Sequence, residues 1–253
     1  MATIITVIRG KKNATVTTSR NHNEWFVATA QQINPESSSV KSFFLKTPYP
    51  LTHDAGQHYE LRLTAENGYQ AARLYSAATA GDGSTILQLT IMEVLDGEVS
   101  PYVVNNLKVG DKVEIRGPFG HFFIWTPTTD RPVLLMGGGS GVIPMHAILM
   151  ANRASNSSAL MKLLYSARRY EDILFKDDFT NQDDVTITLT QETSPTWQGL
   201  QTRINETIVR DILKDLQAPL CYICGMSPFV DAASSILLGL GIPANDIFTE
   251  RFG

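Results

Sequence analysis

The sequence predicts two domains in series, an antiparallel β-barrel or sandwich followed by an α/β parallel-sheet domain. Three observations carry this. Short segments rich in β-branched and aromatic residues fill the chain up to about residue 100, with almost no helical periodicity. After Arg131, strand-like and helix-like segments alternate, the pattern of a parallel sheet wrapped by helices. Between them lies a polar stretch, Thr126 to Arg131, whose proline marks it as the linker.

The elements follow in order. EWFVATAQQI, VKSFFLKT, HYELRLT, TILQLTIMEV and DKVEIRG read as the strands of the first half. In the second half PVLLMG, ALMKLLYSA, DVTITLT, PLCYICG and IFTERF read as strands. Pro144 to Ala151 is a helix candidate. Thr202 to Leu216 is another, because Ile204, Ile208, Ile212 and Leu216 form an apolar stripe flanked by Val209 and Leu213. A last helix is expected from Ser227, as N-cap before Pro228, to a stop at Gly241 with Pro243 beyond.

Bulk properties exclude several classes. Hydrophobic residues make up 43% and charged residues 18% of the 253 positions, which suits packed cores rather than disorder. The net charge of −4 and the lack of a basic run argue against nucleic acid. No apolar run reaches membrane-spanning length, and the start, MATIITVIRGKKN, has its apolar patch ahead of its basic residues, the reverse of a secretory leader. A cytoplasmic location without membrane contact is the expectation.

The two cysteines, Cys221 and Cys224, have C-x-x-C spacing but sit on an apolar strand. Three residues apart on a strand, they face opposite sides, which disfavours a disulfide or a shared metal. No metal site is expected. Two cysteines also fall short of the four ligands of a [2Fe–2S] cluster, so an iron–sulfur centre is expected only on another chain.

Gly137-Gly138-Gly139-Ser140-Gly141-Val142-Ile143-Pro144 follows an apolar strand and opens a helix. Glycines let backbone N–H groups approach a pyrophosphate, and a helix N-terminus adds partial positive charge, so this turn is a dinucleotide-phosphate candidate. The next strand ends Tyr165-Ser166-Ala167-Arg168-Arg169, with no acid until Glu171. Ser166 and Arg168 could hold a 2′-phosphate, which favours NADPH, with NADH as the alternative.

Five motifs in a fixed order resemble the ferredoxin–NADP reductase superfamily. They are Arg73-Leu74-Tyr75-Ser76 (R-x-Y-[ST]), Gly97-Glu98-Val99-Ser100 (G-x-x-[ST]), the turn from Gly137 to Pro144, Cys224-Gly225 with Pro228 (C-G-x-x-P), and Glu250-Arg251-Phe252 at the end. The resemblance runs from about Glu24 onward. It implies an FAD-binding β-barrel domain over 24–126 and an NAD(P)-binding α/β domain over 127–253, after an N-terminal extension over 1–23. Gly56-Gln57-His58 resembles a flavin-pocket strand start, with Ala55 and His58 departing from the family's proline and aromatic. Gly117 to Gly120 resembles the closing turn of the barrel. The stretch Ile91 to Val94 lacks the basic residue often found there, which leaves FMN open beside FAD.

The resemblance also implies roles. Arg73 neutralises the flavin pyrophosphate, Leu74 and Tyr75 lie at the flavin, and Ser76 bonds near N5. Gly97, Val99 and Ser100 open a helix toward the phosphates. Gly138, Gly139, Ser140 and Gly141 hold the nicotinamide dinucleotide, with Gly225 beside it. Cys224 and Glu250 flank the nicotinamide, and Phe252 covers the flavin. The catalytic set is thus Ser76, Cys224 and Glu250. The implied reaction is hydride transfer from NAD(P)H to FAD at a site between the domains, then single electrons to a separate chain: a ferredoxin, a flavodoxin or an oxygenase component. A free-flavin reductase or diaphorase, a subunit of a larger electron-transfer complex and a non-catalytic dinucleotide sensor are the alternatives.

Overall fold

The computed structural model describes residues 21–252. Most of the expected N-terminal extension, including Lys11, Lys12 and Arg20, and the final Gly253 lie outside the described residues. The chain divides into two compact units. The first runs to Gly120; the second runs from His121 onward and also takes in Asp54–Gly56 and Ala78–Ala80.

The first unit holds strands β1 (Phe26–Pro35), β2 (Val40–Lys46), β3 (His58–Thr64), β4 (Gln70–Ser76), β5 (Ile86–Met92) and β6 (Lys112–Phe119), with helix α1 (Ser100–Asn106) between the last two. They form one antiparallel sheet in the order β4-β3-β6-β1-β2-β5. A bridge between Ala77 and Leu89 joins the exit of β4 to β5, the opposite edge, and so curls the sheet toward a barrel. Alternation sends Phe26, Ala28, Leu45, Leu61, Leu87, Leu89, Ile91 and Ile115 inward, where Val103 and Val104 of α1 join them. Each such leucine or isoleucine contributes roughly 1.5–3 kcal/mol through burial.

Two expectations change here. The sequence reading missed β4 as a strand. Its residues, QAARLYS, have weak β-propensity, and as an edge strand it pairs only with β3 and leaves Leu74 57% exposed. The Gly117–Gly120 segment is not simply a turn. Gly117 to Phe119 continue β6, with Phe119 opposite His58, and only Gly120 leaves the strand, at φ +98°.

The second unit holds β7 (Val133–Gly138), α2 (Val142–Ala154), β8 (Met161–Ala167), α3 (Lys176–Phe179), β9 (Val185–Leu189), α4 (Glu206–Leu213), β10 (Leu220–Met226), α5 (Ser227–Gly239) and β11 (Ile247–Phe252). Its strands are all parallel, in the order β11-β10-β7-β8-β9. The continuous apolar runs follow from burial on both faces.

The helix limits differ from the periodicity. The Ile204–Leu216 stripe packs into the core along its whole length. The regular helix is shorter, because Asn205 caps it by accepting from the Ile208 N–H at 3.1 Å and Leu216 closes on the Leu213 carbonyl. Helix α2 is longer than expected at both ends. Ser227 is not the cap of α5: Met226 takes that position, and Ser227 lies inside the first turn. The stop is as the sequence predicts. Gly241, at φ +86°, donates to the Leu238 carbonyl and Ile242 to that of Leu237, which satisfies the last carbonyls.

Candidate functional site

In the first unit β4 sets Arg73, Tyr75 and Ser76 opposite Leu61, Tyr59 and His58 of β3. Arg73 is exposed. It donates to the neighbouring Ala72 carbonyl at 2.8 Å, and among the described residues no ion pair offsets its charge. Tyr75 is half-buried. Burial pushes its phenol up to about 12, and its hydroxyl is enclosed with no hydrogen-bond partner among the described residues. Such an orphaned donor is costly unless something outside the protein completes it. Ser76 is buried.

The Gly97–Ser100 segment is a tight turn. Gly97 donates to the Val94 carbonyl at 2.8 Å, and the Ser100 hydroxyl accepts from the Val94 N–H at 3.0 Å. A side chain on Gly97 would meet that carbonyl at 3.0 Å. Val99 is fully buried at the head of α1. The sequence reading missed Tyr69, whose hydroxyl donates to Glu98 at 3.0 Å and so ties the start of β4 to this turn. Where the family often has a basic residue, Glu93 instead accepts from Asn105 at 2.7 Å. His58 is half-buried against Phe119, and burial lowers its imidazole's pKa.

In the second unit the register gathers the remaining residues at one edge of the sheet. Cys224 pairs with Gly137 on one side and Glu250 on the other. One position on, Gly138 pairs with Ser166, and Gly225 with Arg251. Arg168 lies exposed just beyond β8. Half-buried Phe252 ends β11 opposite Met226, and Arg251 anchors that end to Asp231 at 2.8 Å.

Most glycines of the turn serve packing. A Cβ on Gly141 would lie 2.1 Å from the Cys224 carbonyl oxygen, on Gly138 2.6 Å from the Phe229 ring, and on Gly137 2.8 Å from Val142 Cα. Gly139 differs: its φ is +55° and nothing lies within 4 Å of its missing Cβ, so it presents open backbone. Phe229, another residue the sequence reading missed, also packs where a Gly225 side chain would stand. An aromatic directly after the Ser-Pro helix start was its signal.

The electrostatics separate the two candidate acids. Cys224 is fully buried, and burial followed by the Glu250 charge raises its thiol well above the usual range. It is a neutral thiol rather than a thiolate. Cys221, on the opposite face, joins the core under α4 and α5. Burial raises Glu250 to about 7, and it has no hydrogen bond or ion pair among the described residues. Among those residues no group of three or more His, Cys, Asp and Glu could hold a metal, and no helix is long and apolar enough to cross a membrane.

An antiparallel barrel whose tyrosine hydroxyl lacks a hydrogen-bond partner and whose nearby arginine lacks an ion pair among the described residues, followed by a parallel sheet with a glycine turn, defines a flavin- and nicotinamide-dependent oxidoreductase. The comparisons agree. Residues 28–124 match the Oxidoreductase FAD-binding domain family, and residues 135–235 the Oxidoreductase NAD-binding domain family. The ferredoxin–NAD(P)(+) reductase CarAd of Metapseudomonas resinovorans is 29% identical over 224 residues, covering 87% of this chain and 67% of that one. Ferredoxin–NADP reductase B of Sorangium cellulosum is 29% identical over 244 residues, covering 90% and 98%. The ferredoxin reductase in carbazole 1,9a-dioxygenase superposes with a TM-score of 0.79 at 29% identity, covering 91% of this chain and 70% of that one.

The chain belongs to the ferredoxin–NADP reductase superfamily. It is an NAD(P)H-dependent reductase with FAD as its cofactor. Tyr75→Phe is expected to weaken FAD retention by about 0.5–1.5 kcal/mol while leaving the thermal stability of the cofactor-free protein unchanged or raised. Fluorescence of released FAD and a melting curve check the two halves.

Proposed function

We propose that this reductase draws hydride preferentially from NADPH and delivers electrons singly to a ferredoxin, flavodoxin or oxygenase component on a separate chain. In this reading residues 24–126 form the flavin domain and 127–253 the nucleotide domain. Bound FAD supplies the conversion from a two-electron donor to a one-electron acceptor. The protein's own groups bind and orient. Arg73 and the Gly97–Ser100 turn, with Val99 beneath it, take the flavin phosphates. Leu74 and Tyr75 form the flavin wall, and Ser76 donates a hydrogen bond to the ring edge.

Gly138 to Gly141, Ser140 included, and Gly225 receive the dinucleotide, while Phe252 covers the flavin until the donor displaces it. Cys224 supports the nicotinamide by contact, and Glu250 stabilises charge or holds a proton there. The observation that carries this reading is the Tyr75 hydroxyl, buried without a partner among the described residues, on the same strand as Arg73, which has no ion pair among them. The donor preference is supported by Arg168. The nearest following acid, Glu171, lies 3.6 Å from Arg169, and among the described residues no ion pair holds the Arg168 guanidinium. The acceptor class is supported by the relatives named for ferredoxin.

Anaerobic titration of the purified yellow protein with NADPH and NADH tests the reading. Bleaching with a higher kcat/KM for NADPH is expected, followed by reoxidation by ferredoxin or flavodoxin. Loss of colour on gel filtration would favour a free-flavin reductase instead. Ser76→Ala is expected to slow single-turnover flavin reduction by about tenfold or more while FAD stays bound. Unchanged reduction sinks the role of Ser76.

A further inference from the structure

We propose that His146 is a positioning residue for this reaction, holding through a doubly donating imidazole the backbone that leaves the Tyr75–Ser76 strand. The residue sits on α2, one turn past the glycine loop, and is only 4% exposed among the buried Met145, Ala147, Ile148 and Leu149. A histidine in such a stripe is costly unless its polar atoms are bonded. Both are. Nδ1 lies 2.7 Å from the Ala78 carbonyl oxygen, and Nε2 lies 2.8 Å from Oδ2 of Asp178 on α3.

A carbonyl and a carboxylate both accept. The full set of bonds therefore needs N–H on both ring nitrogens. The bond from His146 also lowers the Asp178 carboxyl below its ordinary value, which keeps that partner an acceptor. The Phe175 ring stacks on the imidazole at 3.9 Å and 15°, and Phe179 meets it edge-on at 5.7 Å. Phe175 holds a left-handed φ of +53°, so the α3 side of this clamp is built on a backbone conformation that aromatic residues seldom adopt.

The charged groups that face the ring are few. Asp178 comes from α3. Arg153, farther along α2, reaches the Asp178 backbone carbonyl at 3.1 Å and pairs with Asp184. Ala78–Ala80, Phe175 and Phe179 bring none. Ala78 is two residues past Ser76, and Ala77 between them donates to the Gln57 carbonyl at 3.0 Å. The strand exit is thus pinned at successive residues, and His146 supplies the pin that depends on a proton. A ring with only one N–H would turn a lone pair toward one of its two acceptors. That bond would be lost, and Ser76 held less firmly.

The kinetic arm of the test rests on the reductase reading; the spectroscopic arm does not. Wild type, Asp178→Asn and His146→Leu are compared as purified FAD-bound proteins. The amide introduced by Asp178→Asn can donate to an unprotonated Nε2 while Nδ1–H still donates to Ala78, so a neutral ring keeps both bonds. Nitrogen-15 NMR of labelled histidine, with His146→Leu identifying the signal, is expected to show two N–H groups in wild type at neutral pH. His146→Leu is expected to reduce its flavin about tenfold more slowly than wild type, with little change in KM for the donor. Asp178→Asn, which keeps both bonds, should stay near the wild-type rate.

Asp178 is half-exposed, so its variant folds even if His146→Leu does not. A singly protonated wild-type ring at neutral pH, or a His146→Leu reduction rate equal to that of wild type, overturns the proposal. If wild type never bleaches, the reductase reading fails, and the NMR result still decides the bonding of His146.

Discussion

Gly141→Ala is expected to abolish turnover with NAD(P)H, with a loss beyond about 10²-fold, while dithionite still reduces the bound flavin. The added Cβ would sit 2.1 Å from the Cys224 carbonyl oxygen and 2.4 Å from its carbon. Both are backbone atoms of a central strand, so neither can rotate away. Either β10 or the glycine turn must move, and each carries proposed nucleotide contacts. Overpacking of this kind also costs about 1–3 kcal/mol of stability. Gly139→Ala is the control. Its Cβ meets nothing within 4 Å, and only the left-handed φ of +55° is strained. It should lower stability by about 1 kcal/mol and leave β10 in place. Wild-type turnover with NADPH in Gly141→Ala would refute the account.

The second large effect is expected at Glu250. Its carboxyl is raised from 4.5 to about 7 by burial, so the protonated form is favoured in the folded protein. The folded state binds this proton more tightly than the unfolded chain does. Its contribution to stability is therefore full below the ordinary carboxylate value and is lost as pH rises through about 7. Catalysis should run the other way. A carboxylate that stabilises positive charge on the oxidising nicotinamide acts when ionised, so flavin reduction should climb through about pH 7 on the acid side. Glu250→Gln should flatten that acid limb, lower the reduction rate by roughly 10²-fold and remove the matching slope in the melting temperature. A Glu250→Gln protein that keeps the wild-type acid limb assigns it to another group.

Much of the fold was legible because it rests on local chemistry. The stripe Ile204, Ile208, Ile212 and Leu216 named a buried helix face, and PVLLMG and PLCYICG named strands covered on both sides. The order of Arg73–Ser76, Gly97–Ser100, Gly137–Pro144 and Glu250–Phe252 carried the family. Helix limits were less legible, since a side-chain cap such as Asn205 ends a helix where the apolar period continues. Strand β4 escaped notice because an edge strand needs neither alternation nor β-branched residues when one neighbour fixes it.

By itself, then, the sequence determined the two sheet types, the chemistry of the glycine turn and the identity of the candidate residues. Tertiary structure alone decided which of them meet. Cys224 stands between Gly137 and Glu250 through parallel register, and Gly141 is required by a carbonyl on the distant strand β10. His146 finds its acceptors 68 and 32 residues off. The physical reason is that periodicity and turn chemistry act over a few residues, whereas register, burial and the completion of buried hydrogen bonds arise only once distant strands and helices pack.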